Sequence, residues 1–187
     1  MMEVQSDEQI LAMIKSNSNP ERGYRMLMNA YQRPLYNHIR RLVQSHDDAD
    51  DILQNTFVKV FRNISNFEER SSLYTWIFKI ASNEAYTFIS KNNRYTALLY
   101  NGESSAELES KAVSSGQLNG EQVREILHIA MESLPVKQKQ VFSLRYFEEM
   151  DYRQMSEVLE TSEGALKASF HHAVKKIESF IKSSNLY

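Results

Sequence analysis

The chain has 187 residues, 42% of them hydrophobic and 11% aromatic, with a formal net charge of −2 and no cysteine. That apolar share is enough to bury cores and excludes a disordered chain, while the absence of thiols excludes disulfides, thiolate metal sites and a cysteine nucleophile. The near-neutral charge argues against a protein that holds nucleic acid by bulk electrostatics alone.

The opening stretch MMEVQSDEQILAMIKSNSNPERG has no basic region followed by an apolar run, and no later window approaches the roughly 18 apolar residues of a membrane span. No membrane insertion is expected, and a cytoplasmic location is. With five glycines, three prolines and few β-branched runs, the periodicity reads helical nearly throughout. Helices are predicted over Asp7–Ser16, Pro20–Gln44, Asp47–Ile64 and Ser71–Lys91. The apolar stripe then stops, and Thr96–Gly120 is rich in Ser, Glu, Gly and Asn, the composition of a tether. Four more helices are predicted beyond it, over Glu121–Ser133, Pro135–Phe147, Tyr152–Leu159 and Glu163–Ile181. Ser45 with Asp48, and Thr161 or Ser162 before Glu163, suit helix starts, and Pro135 suits a first turn. The fold class expected is all-α: two small helical domains, 1–95 and 121–187, joined by a flexible linker over 96–120, the second containing a helix-turn-helix. No internal repeat is visible.

HDDADDILQNTFVKVFRNI opens with Asp47, Asp48, Asp50 and Asp51, which the helix dipole favours in a first turn. Ile52, Leu53, Thr56, Phe57, Val60, Phe61 and Ile64 share a core face. The opposite face carries Asp51, Gln54, Asn55, Val58 and Arg62, and an apolar valine among polar groups suggests a protein-binding surface. A carboxylate cluster also invites a helical metal-carboxylate enzyme, but the Glu-x-x-His spacing of such sites is missing. The next helix, SSLYTWIFKIASNEAYTFISKNNR, places Trp76, Ile77, Ile80 and Ala81 at core spacing. Its Asn83, Tyr86, Thr87, Ser90, Lys91 and Arg94 supply the hydrogen-bonding, stacking and cationic groups that melted nucleic acid needs.

In YRQMSEVLETSEGALKASFHHAVKKIESFI a short helix, a tight turn and a longer helix follow one another. At about 100° per residue, Leu166, Phe170, Ala173, Val174, Ile177 and Ile181 fall on one side of the longer helix. Ala165, Lys167, Ala168, His171, His172 and Lys175 fall on the other, the small, donor-bearing and cationic face that a major groove admits. The alternative is an ordinary amphipathic helix with a solvated face. Adjacent His171 and His172 diverge around the helix and make no metal site alone.

Together these segments resemble the extracytoplasmic function sigma factors over about Tyr24–Ile181 apart from the linker. Asp48-Ala49-Asp50-Asp51-Ile52-Leu53-Gln54-Asn55-Thr56-Phe57 is similar to the family segment that grips the β′ clamp helices of RNA polymerase, which implies polymerase contacts at Asp51, Gln54 and Asn55, beside Val58. Thr75-Trp76-Ile77-Phe78-Lys79-Ile80-Ala81-Ser82-Asn83 resembles the family's minus-ten element. There Asn83 and the loop after it would capture a flipped base, with Lys91 and Arg94 holding the backbone and no ATP needed. Leu134 to Phe142, then Leu144-Arg145-Tyr146, resemble the start of the second DNA-binding domain. Its helix-turn-helix would read the minus-thirty-five element through Ala165, Lys167, Ala168, Ser169, His171, His172 and Lys175. Asn55 stands where an acid is usual, Glu160 and Thr161 replace a glycine and an apolar residue of the turn, and Ser169 and His172 replace arginines.

The resemblance implies a transcription initiation factor without catalysis, cofactor or metal. Its implied partners are core RNA polymerase, through the β′ clamp helices and the β subunit, promoter DNA, and an anti-sigma factor. The rival from another class is a stand-alone helix-turn-helix regulator that binds DNA without polymerase.

Overall fold

In the computed structural model the described residues are 6–16, 19–43, 45–99 and 120–183, with side chains described for all of these but 93–99 and 121. Among the described residues there are eight α-helices: α1 Asp7–Lys15, α2 Pro20–Leu42, α3 His46–Asn63, α4 Leu73–Leu99, α5 Gly120–Glu132, α6 Val136–Tyr146, α7 Tyr152–Leu159 and α8 Glu163–Ser183. A 3₁₀ turn, Ile64–Asn66, follows α3. The chain divides into two compact units, Met1–Tyr86 with Glu157–Glu160 and Thr87–Ser156 with Thr161–Tyr187. No helix among the described residues is long and apolar enough to cross a membrane.

Helix starts follow the side chains that can satisfy free N–H groups. Ser6 and Gln9 form a reciprocal box on α1. Asn19 accepts from the Arg22 N–H at 3.1 Å on α2, and Ser45 accepts from the Asp48 N–H at 3.2 Å on α3. Ser72 accepts from the Thr75 N–H at 3.1 Å, so α4 begins at Leu73 and not at Ser71. Ser162 serves α8.

Several boundaries depart from expectation: α6 begins at Val136, with Pro135 as its N-cap and not in its first turn, and α4 departs furthest. Helix α4 does not end near Lys91 but continues to Leu99, because Asn92 to Leu99 hold neither glycine nor proline to break the backbone ladder. Thr96–Leu99 are therefore helix, as is Gly120, and the rest of the expected tether lies outside the described residues. There is also no loop directly after Asn83, which sits in the middle of α4.

In the first unit the core joins Leu27, Leu35 and Ile39 of α2 to Ile52, Phe57 and Val60 of α3 and to Leu73, Ile77, Phe78 and Ala81 of α4, all buried. Tyr31 of α2 donates to the Asp7 carboxylate of α1 at 2.6 Å; burial first, then this carboxylate, raises the phenol's pKa. Gly23 brings α1 and α2 together: a Cβ there would lie 2.6 Å from Ile14 Cγ1 and 2.7 Å from the Ile14 backbone nitrogen. The buried His38 of α2 bonds through Nε2 to Ser82 Oγ of α4 at 3.0 Å, and its ring centroid is 5.3 Å from that of Phe78. Burial, and secondarily the Arg41 charge, lower its pKa to about 3 from the usual 6.5.

The second unit's core is Ala130, Met131, Leu134, Phe142, Ala173 and Ile177, with Leu127, Phe147, Phe170, Val174, Phe180 and Ile181 packed against it. Phe142 stacks on Phe170 of α8 and on Tyr146. Lys139 of α6 and Glu132 of α5 form a buried ion pair at 2.9 Å. Taking both charges from water is costly, so either partner alone would be strongly destabilising.

Gly23→Ala is expected to lower the unfolding free energy by about 1–3 kcal/mol through overpacking against Ile14, opposite in sign to the ~1 kcal/mol gain of the same change on an open helix. Urea titration checks the sign, and amide exchange should show α1 losing protection first.

Neutral His38 predicts a pH dependence. The unfolded side chain takes a proton below about pH 6.5 while the folded one does not until about pH 3. The stability it supports is complete above that upper value and falls by about 1.4 kcal/mol per pH unit below it. Urea titrations at about pH 7, 6 and 5 should show this slope, and His38→Gln should flatten it.

Candidate functional site

The first surface lies on α3. Its apolar stripe, Ile52, Leu53, Thr56, Phe57 and Val60, is buried, which turns Asp51, Gln54, Asn55 and Val58 outward, all exposed. Val58 is 40% exposed, more than a core position allows. Beside these residues runs a groove of ≈ 440 Å³ floored by Leu53, Phe57 and Phe61 and edged by Asp50, Asp51, Gln54 and Val58. Met28 and Gln32 of α2 form its other wall, and Met28 is 36% exposed. An apolar floor with polar edges suits the ridge of a partner helix. The α2 wall was not visible in the sequence, because which face of α2 flanks α3 is set by tertiary packing.

A second surface runs along α4. Asn83, Tyr86, Thr87, Ser90, Lys91 and Arg94 lie within one side of the helix at 100° per residue, roughly a 140° arc. Asn83, Tyr86, Thr87 and Lys91 are exposed and Ser90 is half-buried; the Arg94 side chain lies outside the described residues. Tyr86, 38% exposed, offers ring area for stacking. Trp76 and Ile80 are half-buried while Ile77 and Ala81 are fully buried, so the core stripe is narrower than the spacing suggested.

The third surface belongs to α8. Leu166, Ala173 and Ile177 are buried and Phe170, Val174 and Ile181 half-buried, which fixes the helix's rotation. Ala165, Lys167, Ala168, His171, His172 and Lys175 consequently stand exposed, with Ser169 half-buried at the margin. The short α7 leads into α8 through Glu160, Thr161 and Ser162, the helix-turn-helix arrangement. Glu160 has φ 51°, the left-handed value that glycine favours, so the turn keeps its backbone shape without a glycine. His172 and Lys175 line a shallow hollow of ≈ 390 Å³ with Ser133, Lys176, Ser179 and Phe180. Lys176 extends the basic surface beyond the residues singled out by spacing. The Lys167 ammonium rests 5.3 Å from the centroid of the Tyr152 ring and 3.6 Å from the Glu163 carboxylate. The ring centroids of His171 and His172 are 6.1 Å apart, and among the described residues no three His, Asp or Glu side chains converge as a metal site.

With these surfaces defined, comparison places them in known families. Sigma-70 region 2 matches residues 27–95, which hold α3 and the exposed face of α4, and sigma-70 region 4 matches residues 124–177, which hold α6, α7 and most of α8. The ECF RNA polymerase sigma-E factor of Haemophilus influenzae is 22% identical over 97% of this chain and 98% of its own length. The sigma factor RpoE of Bartonella quintana, solved in complex with the anti-sigma factor NepR, aligns with a TM-score of 0.67 at 21% identity, covering 85% of this chain and 96% of that one. CnrH, solved with the cytosolic domain of CnrY, aligns with a TM-score of 0.68 at 20% identity over 96% and 99% of the two chains. Two sigma-70 regions in their proper order, with a relative matched from end to end, lead to one conclusion: the chain belongs to the extracytoplasmic function sigma factors.

Proposed function

We propose that this sigma factor docks on the β′ clamp helices of core RNA polymerase through Asp51, Gln54, Asn55 and Val58, with Met28 and Gln32 completing the seat. The carrying observation is the groove beside α3, where an exposed valine and methionine flank an apolar floor with amide and carboxylate groups at its rim. Charge at the rim sets register while the apolar floor supplies burial.

In this reading Asn83 and Tyr86 receive an unstacked base of the minus-ten element, and Lys91 and Arg94 hold its backbone. A pocket that stabilises a flipped base biases the duplex toward opening, so this step requires no catalytic group. Helix α8 enters the major groove upstream, with Ala165 and Ala168 permitting close approach, His171, His172 and Ser169 offering hydrogen bonds, and Lys167 and Lys175 meeting phosphates. Residues 1–95 and 121–187 act as separate modules joined by the 96–120 segment. Each modest DNA contact then gains from the effective concentration that polymerase provides, which accords with a net charge of −2. The β subunit is a further contact. Action at promoters implies a cytoplasmic location, and the Bartonella quintana sigma factor, solved with an anti-sigma factor, supports a cognate inhibitor that covers one of these surfaces.

Titration of the labelled protein with sigma-free core polymerase, competed by a housekeeping sigma factor, tests the first surface. The Asp51→Ala/Gln54→Ala variant is expected to bind at least about tenfold more weakly, the loss of two contacts of about 1 kcal/mol each. Undiminished affinity in the folded variant overturns the assignment. Tight promoter binding in the absence of polymerase would instead identify a stand-alone regulator. Asn83→Ala is expected to relax minus-ten base preference while leaving polymerase affinity unchanged, read by transcription from promoters substituted base by base.

A further inference from the structure

Two cations of the second unit converge on one aromatic ring. The Lys167 ammonium and the Arg145 guanidinium each lie 5.3 Å from the centroid of Tyr152. Arg145 is also anchored to the backbone, its Nη1 donating to the Met150 carbonyl at 2.8 Å. Tyr152 opens α7, where the Gln154 N–H donates to the Asp151 carboxylate at 2.8 Å and the Asp151 N–H donates to the Gln154 side-chain oxygen at 3.0 Å. This reciprocal cap fixes the turn that carries the ring. Lys167, by contrast, is an exposed cation on a flexible four-carbon stem.

Like charges on one ring repel each other, so the arrangement requires compensation. The Met150 carbonyl offsets one cation and the Glu163 carboxylate, 3.6 Å from Lys167, offsets the other. A DNA phosphate is a stronger partner for the Lys167 ammonium than a solvated carboxylate on the same helix, because their pairing releases condensed counterions. A lysine already resting on a ring also has less rotamer freedom to lose when it meets that phosphate.

We propose that Tyr152 is a positioning residue whose ring, which the Arg145 guanidinium also contacts, presets the Lys167 ammonium as a seat for one backbone phosphate of duplex DNA. The inference rests on the reading of α8 as the helix that enters upstream promoter DNA. The ring face holds the cations and the phenolic hydroxyl does not, so phenylalanine should replace tyrosine and leucine should not.

The test uses holoenzyme reconstituted from the full chain and core polymerase, on a duplex promoter recovered by that holoenzyme from a randomised library, with anisotropy measured across a salt series. Lys167→Ala is expected to weaken binding about fivefold and to flatten the slope of log affinity against log salt by about one. Tyr152→Leu is expected to weaken it about two- to fivefold and Tyr152→Phe to stay within about twofold of wild type. In the Lys167→Ala background, Tyr152→Leu should add no further loss. An equal further loss there, or wild-type binding by Tyr152→Leu alone, overturns the positioning role while leaving the α8 reading intact. Wild-type binding by Lys167→Ala overturns the seat and the DNA contact at Lys167 together. Should Tyr152→Leu fail to fold, the Lys167 ε-methylene proton shifts decide in the wild-type protein: an upfield ring-current shift supports the seat, and random-coil values overturn it.

Discussion

Helix α2 must satisfy three neighbours along one amphipathic rod, and the outward face of α3 depends on its doing so. Near its start, Gly23 lets α1 approach to backbone distance at Ile14. Along its length Leu27, Leu35 and Ile39 are buried with the stripes of α3 and α4, and His38 adds a polar pin to Ser82. Pro34 lies inside the helix without ending it; the lost N–H bond is tolerated because Tyr31 and Leu35 on either side are held in the core. Since α2 claims the apolar side of α3, the side bearing Asp51, Gln54 and Val58 has nowhere to go but outward. Exposure of the residues proposed to dock is thus a by-product of core packing.

The second unit reaches the same end by a different route. Its small core leans on stacked Phe142 and Phe170 and on one buried ion pair, Glu132 with Lys139. Such a pair adds little net stability, but each charge needs the other, so Glu132 and Lys139 tie α5 to α6, against both of which α8 lies. The rotation of α8 is then set by Leu166, Ala173 and Ile177, and its polar face follows at fixed angles.

Periodicity made much of this legible. Helix α7 matches its expected span of Tyr152–Leu159, and α8 turns outward the residues that spacing put opposite its apolar stripe. The polar face of α3 was equally plain, because a helix buried on one side leaves little freedom for the other. What sequence did not disclose depends on non-local geometry. Gly23 reads as a helix weakness until Ile14 is beside it, and Met28 and Gln32 read as ordinary surface until α3 lies alongside. Glu149 and Glu160 adopt φ of 53° and 51°, which no propensity assigns to glutamate; the turns impose the conformation and the residues accept it. The extension of α4 is hidden for a different reason: Asn92 and Asn93 look like a stop, yet nothing in them forbids another turn.

That unbroken α4 has a metric consequence. At 1.5 Å per residue, the step from Asn83 to Arg94 is about 16 Å, close to the rise of roughly five nucleotides at 3.4 Å each. Along such a face the helix becomes a ruler: in the proposed role, the number of bases it can span is set by backbone pitch, and the choice among bases by the side chains mounted at each mark. A family member could then change the letters it reads by exchanging those side chains while the length of the word stays the same.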